Sequence, residues 1–173
     1  MKRIMVIGVS AGVGKSTFAD QIGKALRIPV VHLDSLYWKP GWIESTVEEF
    51  REAQRLVVKQ ESWVIDGNYG NSYDVREQLA DTVIYLELPL RMCLYRVVKR
   101  YWKNRGTTRP DLGEGCTEKL DKEFLRFIIT TYKRRKRQMA ERLKRYETEG
   151  KTVIALKSRK EIKTFLEELN PSI

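Results

Sequence analysis

A glycine-rich run near the start of the chain, VIGVSAGVGKST over residues 6–17, has the residue types that bind phosphate groups. The backbone N–H groups of such a turn can point together at phosphate oxygens, and a following helix adds the positive end of its dipole. Lys15 would contact the β and γ phosphates, while the Ser16 hydroxyl would bind Mg²⁺. The run therefore predicts a nucleotide-binding site formed by Gly12, Val13, Gly14, Lys15, Ser16 and Thr17.

The spacing of this run differs by one residue from the usual phosphate-binding pattern, G-x-x-x-x-G-K-[ST]. Val9 stands where that pattern has its first glycine, and Gly8 comes one residue earlier. We expect Gly8 to make the turn out of a preceding strand, in a loop that holds one extra residue. Residues 12–17, which would wrap the phosphates, keep the pattern.

Two aspartates that follow predicted strands could act together with this loop. Asp66 ends the run WVID, where a carboxylate can hold Mg²⁺ directly or through water. Asp34 ends the run VVHLD and could orient or deprotonate an acceptor hydroxyl. Either aspartate could instead only cap a turn. His32, the single histidine, could assist Asp34, but a lone histidine on a strand is more often structural, so it is left out of the predicted chemistry.

Arginines could supply positive charge opposite the phosphates. Arg96 and Arg100 stand four residues apart on one predicted helix face, and Arg105 and Arg109 flank a glycine-rich segment. We expect residues from about 100 to 118 to close over the reactants as a lid.

Aromatic residues follow Asp34 in the segment that would receive the phosphate acceptor, over residues 34–60. Tyr37, Trp38 and Trp42 could line a site for a planar or apolar acceptor. They could equally well anchor the loop that carries them.

Short apolar runs alternate with amphipathic segments along the whole chain. This alternation predicts one α/β domain over residues 1–173, with a parallel sheet that helices cover on both faces. Residues 34–45 and 106–115 are predicted loops. The predicted strands are 2–7, 29–33, 63–65, 82–88 and 151–156, and the predicted helices are 15–26, 46–60, 72–79, 91–105, 118–147 and 159–169.

The net charge of +10 is concentrated in two segments of the sequence. Residues 91–110 contain seven Lys or Arg and no acidic residue, and residues 126–145 contain nine against one. Such charge indicates an anionic partner, either small phosphates or nucleic acid, unless it only solvates helix faces. No apolar run approaches the roughly 20 residues of a membrane span, so we predict a cytoplasmic protein with reduced cysteines.

These residues together resemble those of the nucleoside monophosphate kinases, including the adenylate kinases. The resemblance rests on the loop ending in Gly-Lys-Ser-Thr, on Asp66-Gly67, and on two arginines after Pro89. Residues 32–42 (HLDSLYWKPGW), 66–69 (DGNY) and 109–111 (RPD) are similar to the bacterial DNA topology modulation protein family, which is described as adenylate kinase-related. The resemblance covers nearly the whole chain.

The resemblance implies a three-layer P-loop NTPase with a five-stranded parallel sheet in the order 2-3-1-4-5 and a short helical lid. It also implies that ATP and Mg²⁺ bind at Lys15, Ser16 and Asp66. Arg96 would stack on the adenine, whose other face would meet residues 157–159. Arg100 and Arg109 would contact phosphates across the lid.

The acceptor side departs from the adenylate kinases. Asn68 and Tyr69 stand where those enzymes have Phe-Pro-Arg, so the arginine that would grip a monophosphate acceptor is missing. We predict an ATP- and Mg²⁺-dependent phosphotransferase of the nucleotide kinase type that acts on an unnamed small molecule. A nucleic-acid-associated ATPase or regulator is the alternative. The predicted catalytic residues are Lys15, Asp34, Arg100 and Arg109, and the predicted acceptor residues are Asp34, Tyr37, Trp42, Asn68 and Tyr69.

Overall fold

Five parallel strands form the central sheet of the computed structural model, which describes residues 1–109, 111–113 and 115–169. Pro110 and Glu114 of the predicted lid and residues 170–173 of the predicted domain lie outside the described residues. The strands are short and apolar because parallel strands are buried on both faces. They are β1 (Arg3–Gly8), β2 (Val30–His32), β3 (Trp63–Asp66), β4 (Thr82–Leu86) and β5 (Thr152–Leu156).

The order of these strands across the sheet is β2-β3-β1-β4-β5, which confirms the predicted order 2-3-1-4-5. The central strand β1 pairs with β3, where Val6 lies opposite Asp66, and with β4, where Gly8 lies opposite Leu86. Ligands of open parallel sheets bind beyond the carboxyl ends of the strands. This register puts the glycine-rich segment that follows β1, residues 9–14, beside the end of β3; it is called the phosphate loop below, after its predicted role.

Seven α-helices connect or follow the strands in the described residues. α1 packs against α7, α3 packs against α4, and α6 packs against both α5 and β5. None of these helices combines the length and the apolarity that crossing a membrane requires, as judged over the described residues. They are α1 (Lys15–Leu26), α2 (Leu33–Tyr37), α3 (Val47–Val58), α4 (Tyr73–Glu77), α5 (Leu90–Asn104), α6 (Lys122–Thr148) and α7 (Arg159–Leu169).

Residues 34–45 were expected to form a loop, but the structure gives them regular elements. α2 begins directly after β2, and a small antiparallel pair follows, with Trp38–Lys39 paired to Ile43–Glu44. Gly41 and Trp42 both have a positive φ, which closes the turn between these two short strands. Sequence patterns do not indicate this pair, because each strand is only two residues long.

Beyond α5, the described residues of the predicted lid do not form the short helical element that the resemblance implies. After Asn104 the chain forms single β-bridges, Arg105 with Glu118 and Thr108 with Thr117, and its described residues contain no helix before α6. α6 itself begins at Lys122 rather than at residue 118. The Asp121 side chain accepts a hydrogen bond from Phe124 N at 2.6 Å and so caps the helix there.

The core lies on both sides of β1 and β4. Ile4, Ile7 and Ile84 are fully buried, and Phe18 of α1 stacks on Phe165 of α7 with a 6.0 Å distance between ring centroids. This stacking holds α1 against α7, and α1 also packs against β3. The phosphate loop between β1 and α1 is therefore held at both of its ends.

Candidate functional site

The phosphate loop leaves β1 next to Gly8, whose backbone is held by the Asn68 side chain. Asn68 Nδ2 donates to Gly8 O at 2.6 Å, and Gly8 N donates to Asn68 Oδ1 at 3.0 Å. Val9 is fully buried, and its N–H donates to Leu86 O at 2.9 Å. β1 ends at Gly8 and the chain bends at Val9 and Ser10, so the turn out of the strand follows Gly8 as expected.

Close packing explains two of the loop glycines. Gly12 has a φ of +77°, and a Cβ atom there would lie 2.3 Å from Cys93 O of α5. A Cβ atom on Gly8 would lie 2.5 Å from Cγ1 of Val13. Gly14 has a φ of +101° and is the last residue before α1. The shape of the loop thus depends on glycine at positions where a side chain would collide or be strained.

Lys15 brings a positive charge back over the loop. Its Nζ donates a 3.4 Å hydrogen bond to Ser10 O. Burial lowers the pKa of Lys15, while the negative charges of Asp66 and Asp34 oppose that shift. The ammonium group therefore lies in the field of both predicted acidic residues, at the position where phosphates would neutralise a buried charge.

Ser16 and Asp66 form the pair that fits a magnesium ion. Ser16 Oγ donates to Asp66 Oδ2 at 3.0 Å, and Asp66 is buried at the end of β3. Mg²⁺ is usually bound by one or two carboxylates together with substrate phosphates and water. The described residues contain no group of three or more His, Cys, Asp or Glu that could hold a metal by themselves, so phosphate oxygens would have to complete the coordination.

His32 belongs to this cluster, although the sequence interpretation had left it outside the chemistry. Its Nδ1 lies 2.6 Å from Asp66 Oδ1, and its Nε2 lies 3.2 Å from Asp20 Oδ1. Burial disfavours the charged imidazolium, but the hydrogen bond and the charges of the two aspartates outweigh it, so the pKa of His32 is raised. His32 thus ties β2 to the carboxylate at the end of β3.

Asp34 lies in the first turn of α2 and is bonded to Tyr69. The Tyr69 hydroxyl donates to Asp34 Oδ1 at 2.6 Å. Burial raises the pKa of Asp34, and the hydrogen bond from Tyr69 and the charge of Lys15 only partly counteract it. A carboxylate with a raised pKa and a fixed orientation is suited to accept a proton.

Three of the four predicted arginines, Arg96, Arg100 and Arg109, are engaged by groups of the protein, whereas Arg105 is exposed and does not line the cavity described below. Arg96 Nη1 donates to Val13 O at 2.8 Å, which places its guanidinium on the phosphate loop. Arg100 Nε donates to Glu118 Oε1 at 2.9 Å, and Arg109 is paired with both Glu118 and Asp111. The Glu118 side chain is only 3% exposed, so it is a buried anchor of the lid.

The aromatic residues form one contiguous group that also contacts the lid. Ring centroids of Tyr37 and Tyr69 are 4.8 Å apart, and those of Trp38 and Trp42 are 5.2 Å apart. Trp42 Nε1 donates to Thr117 O at 2.9 Å. The aromatic side chains therefore pack with one another and also join the acceptor segment to the lid.

A single cavity of about 1540 Å³ brings the predicted residues together. It extends from the phosphate loop to the aromatic residues and to α7, where Arg159 and Ile162 line it. Every residue of the predicted site borders this cavity: Gly12, Val13, Gly14, Lys15, Ser16, Thr17, Asp34, Tyr37, Trp42, Asp66, Asn68, Tyr69, Arg96, Arg100 and Arg109.

Sequence reasoning missed the most buried charged residue near the site, Arg76. Its guanidinium donates to Gln54 Oε1 at 2.8 Å and to Gly67 O at 3.2 Å, and burial lowers the pKa of Arg76 to about 10. Arg76 thus holds the backbone directly after Asp66. No motif marks this arginine, since its partners come from α3 and from the segment after β3.

No protein-family model and no curated protein sequence matches this chain. Solved structures do match. A shikimate kinase from Bacteroides thetaiotaomicron is 19% identical with a TM-score of 0.54, covering 98% of this chain and 97% of its own. A shikimate kinase from Aquifex aeolicus is 18% identical with a TM-score of 0.56, covering 98% and 94%. A shikimate kinase from Acinetobacter baumannii, solved in complex with shikimate, is 15% identical with a TM-score of 0.55, covering 98% and 93%.

The chain has the same α/β fold as these shikimate kinases. The alignments extend over nearly all of both chains. At these identities the likeness establishes the fold alone.

Proposed function

We propose that this protein transfers the γ-phosphoryl group of ATP to a hydroxyl group of a small molecule. The observation that supports this most directly is the shared cavity, which Lys15, Asp66 and Asp34 all border. A phosphate-binding lysine, a carboxylate for Mg²⁺ and a carboxylate with a raised pKa are the three groups that phosphoryl transfer to a hydroxyl requires.

ATP would bind with its phosphates on the loop between β1 and α1. The N–H groups after Gly12 and the N-terminus of α1 favour negative charge, and Lys15 adds a cation that burial otherwise destabilises. Arg96 already lies against the loop through Val13 O. The adenine would then occupy the end of the cavity between Arg96 and α7, where Arg159 and Ile162 are found.

Ser16 and Asp66 would hold Mg²⁺, which would neutralise phosphate charge during the transfer. The Asp66 carboxylate is already oriented for this role, because Ser16 Oγ lies 3.0 Å from its Oδ2 and His32 Nδ1 lies 2.6 Å from its Oδ1. Arg76 holds the carbonyl of Gly67, the next residue. The carboxylate is thus positioned by its own chain before any ligand arrives.

Asp34 would take the proton of the acceptor hydroxyl, and that oxygen would bond to the γ phosphorus as ADP leaves. Tyr69 orients the carboxylate, and its hydrogen bond keeps the raised pKa of Asp34 from rising further. Tyr37 and Trp42 would flank the acceptor, and Asn68 would act by fixing Gly8. Arg100 and Arg109 would exchange Glu118 for phosphate oxygens when the reactants bind.

A titration tests the donor half of this proposal. Calorimetry with a non-hydrolysable ATP analogue and Mg²⁺ should give one site on the wild-type protein, and Lys15→Ala should weaken it by about tenfold or more, since a charge-assisted contact is lost. Lys24→Ala, an exposed lysine of the same helix, is the matched control and should bind normally. Equal affinities of the two variants would refute the assignment of the phosphate loop.

The alternative, a nucleic-acid-associated ATPase related to the DNA topology modulation proteins, stays a prediction that rests on charge and resemblance. Its mark would be an affinity for nucleic acid that falls steeply with salt. Undetectable binding at physiological salt would exclude it.

A further inference from the structure

A second cavity of about 530 Å³ lies between α6 and the segment that follows β3. The larger cavity, proposed above to hold ATP and the acceptor, is called the reaction cavity. The second cavity differs from it in lining, because Lys15, Ser16, Asp34 and Asp66 do not border it. Asn68, Gly70 and Arg135 border both cavities, so the two adjoin.

Arginines of α6 dominate the lining of this second cavity. Four arginines and a single acidic residue, Glu141, face it. Arg142 and Arg145 are already paired with Glu77 at 3.0 Å and 2.7 Å. The other two arginines, Arg134 and Arg135, form no salt bridge with any carboxylate of the described residues.

Tyr73 forms the inner wall of the cavity and is held by cations. The guanidinium groups of Arg76 and Arg142 lie over its ring, at 4.6 Å and 4.2 Å from the ring centroid. Tyr73 is only 4% exposed, and its hydroxyl has no hydrogen-bond partner in the described residues. Buried hydroxyls ordinarily have such a partner.

We propose that this cavity is a second anion-binding site, which takes a small phosphate-bearing molecule such as pyrophosphate or a nucleoside phosphate. Guanidinium forks match phosphate oxygens in pairs, and a cavity of this volume is within the range of small-molecule sites. Arg134 and Arg135 supply charge that no described carboxylate neutralises. Gln138 and Tyr73 add polar groups at the wall.

The position of this site connects it to the phosphate loop. Gly8 and Asn68, whose paired hydrogen bonds fix the start of the loop, form part of its wall. An anion held there would also attract Arg135, which borders the reaction cavity from α6. An anion bound at this site would therefore lie next to the start of the phosphate loop and next to a cation of the reaction cavity.

Binding can be tested without any catalytic activity. In the Lys15→Ala background, which weakens the phosphate loop, pyrophosphate and a nucleoside monophosphate are titrated separately by calorimetry. We expect one remaining site, and the ligand that binds more tightly identifies the source of the phosphate. Adding Arg134→Gln should weaken that site by about tenfold, since one charge-assisted contact is lost.

Arg137→Gln in the same background is the matched control, because Arg137 is an exposed arginine of the same helix that does not line the cavity. A second variant, Arg142→Gln, should also weaken binding, and Glu77 would keep its bonds to Arg145 and Tyr146. The proposal is overturned if neither ligand binds at millimolar concentration, or if Arg134→Gln and Arg137→Gln bind alike. An oligonucleotide is titrated in the same way, and the proposal is equally overturned if it binds while neither small phosphate does.

Discussion

The hydroxyl of Tyr69 donates a 2.6 Å hydrogen bond to Oδ1 of Asp34. Tyr69 comes from the segment after β3 and Asp34 from the first turn of α2. The bond therefore joins two parts of the cavity wall that come from different segments of the chain. It fixes one carboxylate oxygen and leaves the other for a proton. The proposed base is therefore oriented by a residue 35 positions away in the sequence.

Asp34→Asn tests this base. The amide keeps the size of the side chain and an oxygen that can accept from Tyr69, but it cannot take a proton. Turnover of an accepted substrate should fall by about 10²–10⁴-fold, the usual contribution of a general base. Affinity for the ATP analogue should stay within about twofold, as seen by calorimetry. Loss of both together would mean that Asp34 supports the fold and not the proton transfer.

The acid limb of the pH–rate profile should move when Tyr69 is changed. Activity requires ionised Asp34, so it rises as the pH increases through the pKa of this residue, which burial places above its ordinary value. Tyr69→Phe removes a hydrogen bond that lowers that pKa, so the limb should shift to higher pH. Tyr95→Phe, at a tyrosine that is 62% exposed, should leave the profile in place. A shift to lower pH would contradict the assignment.

Gly12→Ala separates steric contact from backbone strain in the phosphate loop. Gly12 and Gly106 have the same φ of +77°, but a Cβ atom would collide only at Gly12, 2.3 Å from Cys93 O. Both substitutions should cost backbone strain, and Gly12→Ala should lower the free energy of unfolding by about 1–3 kcal/mol more. Denaturant unfolding measures the difference. Equal effects would show that α5 does not constrain the loop.

Arg76→Gln should destabilise the protein, because Gln54 and Gly67 would lose a buried donor. We expect a loss of about 3 kcal/mol in the free energy of unfolding. Arg91→Gln, at an exposed arginine of α5, removes the same charge and should change that free energy by less than about 0.5 kcal/mol. Similar values for the two variants would rule out an anchoring role for Arg76.

The strands and the phosphate loop were predictable because they depend on local patterns, whereas the order of the strands was expected from the resemblance to the nucleoside monophosphate kinases. β-branched runs such as Ile4–Ile7 indicate buried parallel strands, and the run from Gly12 to Thr17 is a motif with a fixed place between a strand and a helix. Asp34 and Asp66 were found as site candidates because each follows such a strand.

The partners of these residues were not predictable, because they are set by tertiary contacts. Nothing in the sequence indicates that His32 is hydrogen-bonded to Asp66, that Asn68 is hydrogen-bonded to Gly8, or that Arg76 is buried. The helical lid was an expectation taken from the resemblance, whereas the observed bridges join residues more than eight positions apart. Such pairings depend on packing that no local pattern records.

Transfer of label from γ-³²P-ATP tests the central claim most directly. Wild-type protein and Asp34→Asn are incubated with Mg²⁺ and a panel of nucleosides, nucleotides, shikimate and other small hydroxy compounds, and the products are separated. The proposed function predicts a labelled organic phosphate with the wild-type protein and at least about a hundredfold less with Asp34→Asn. Slow release of inorganic phosphate, with no labelled acceptor anywhere in the panel, would contradict it.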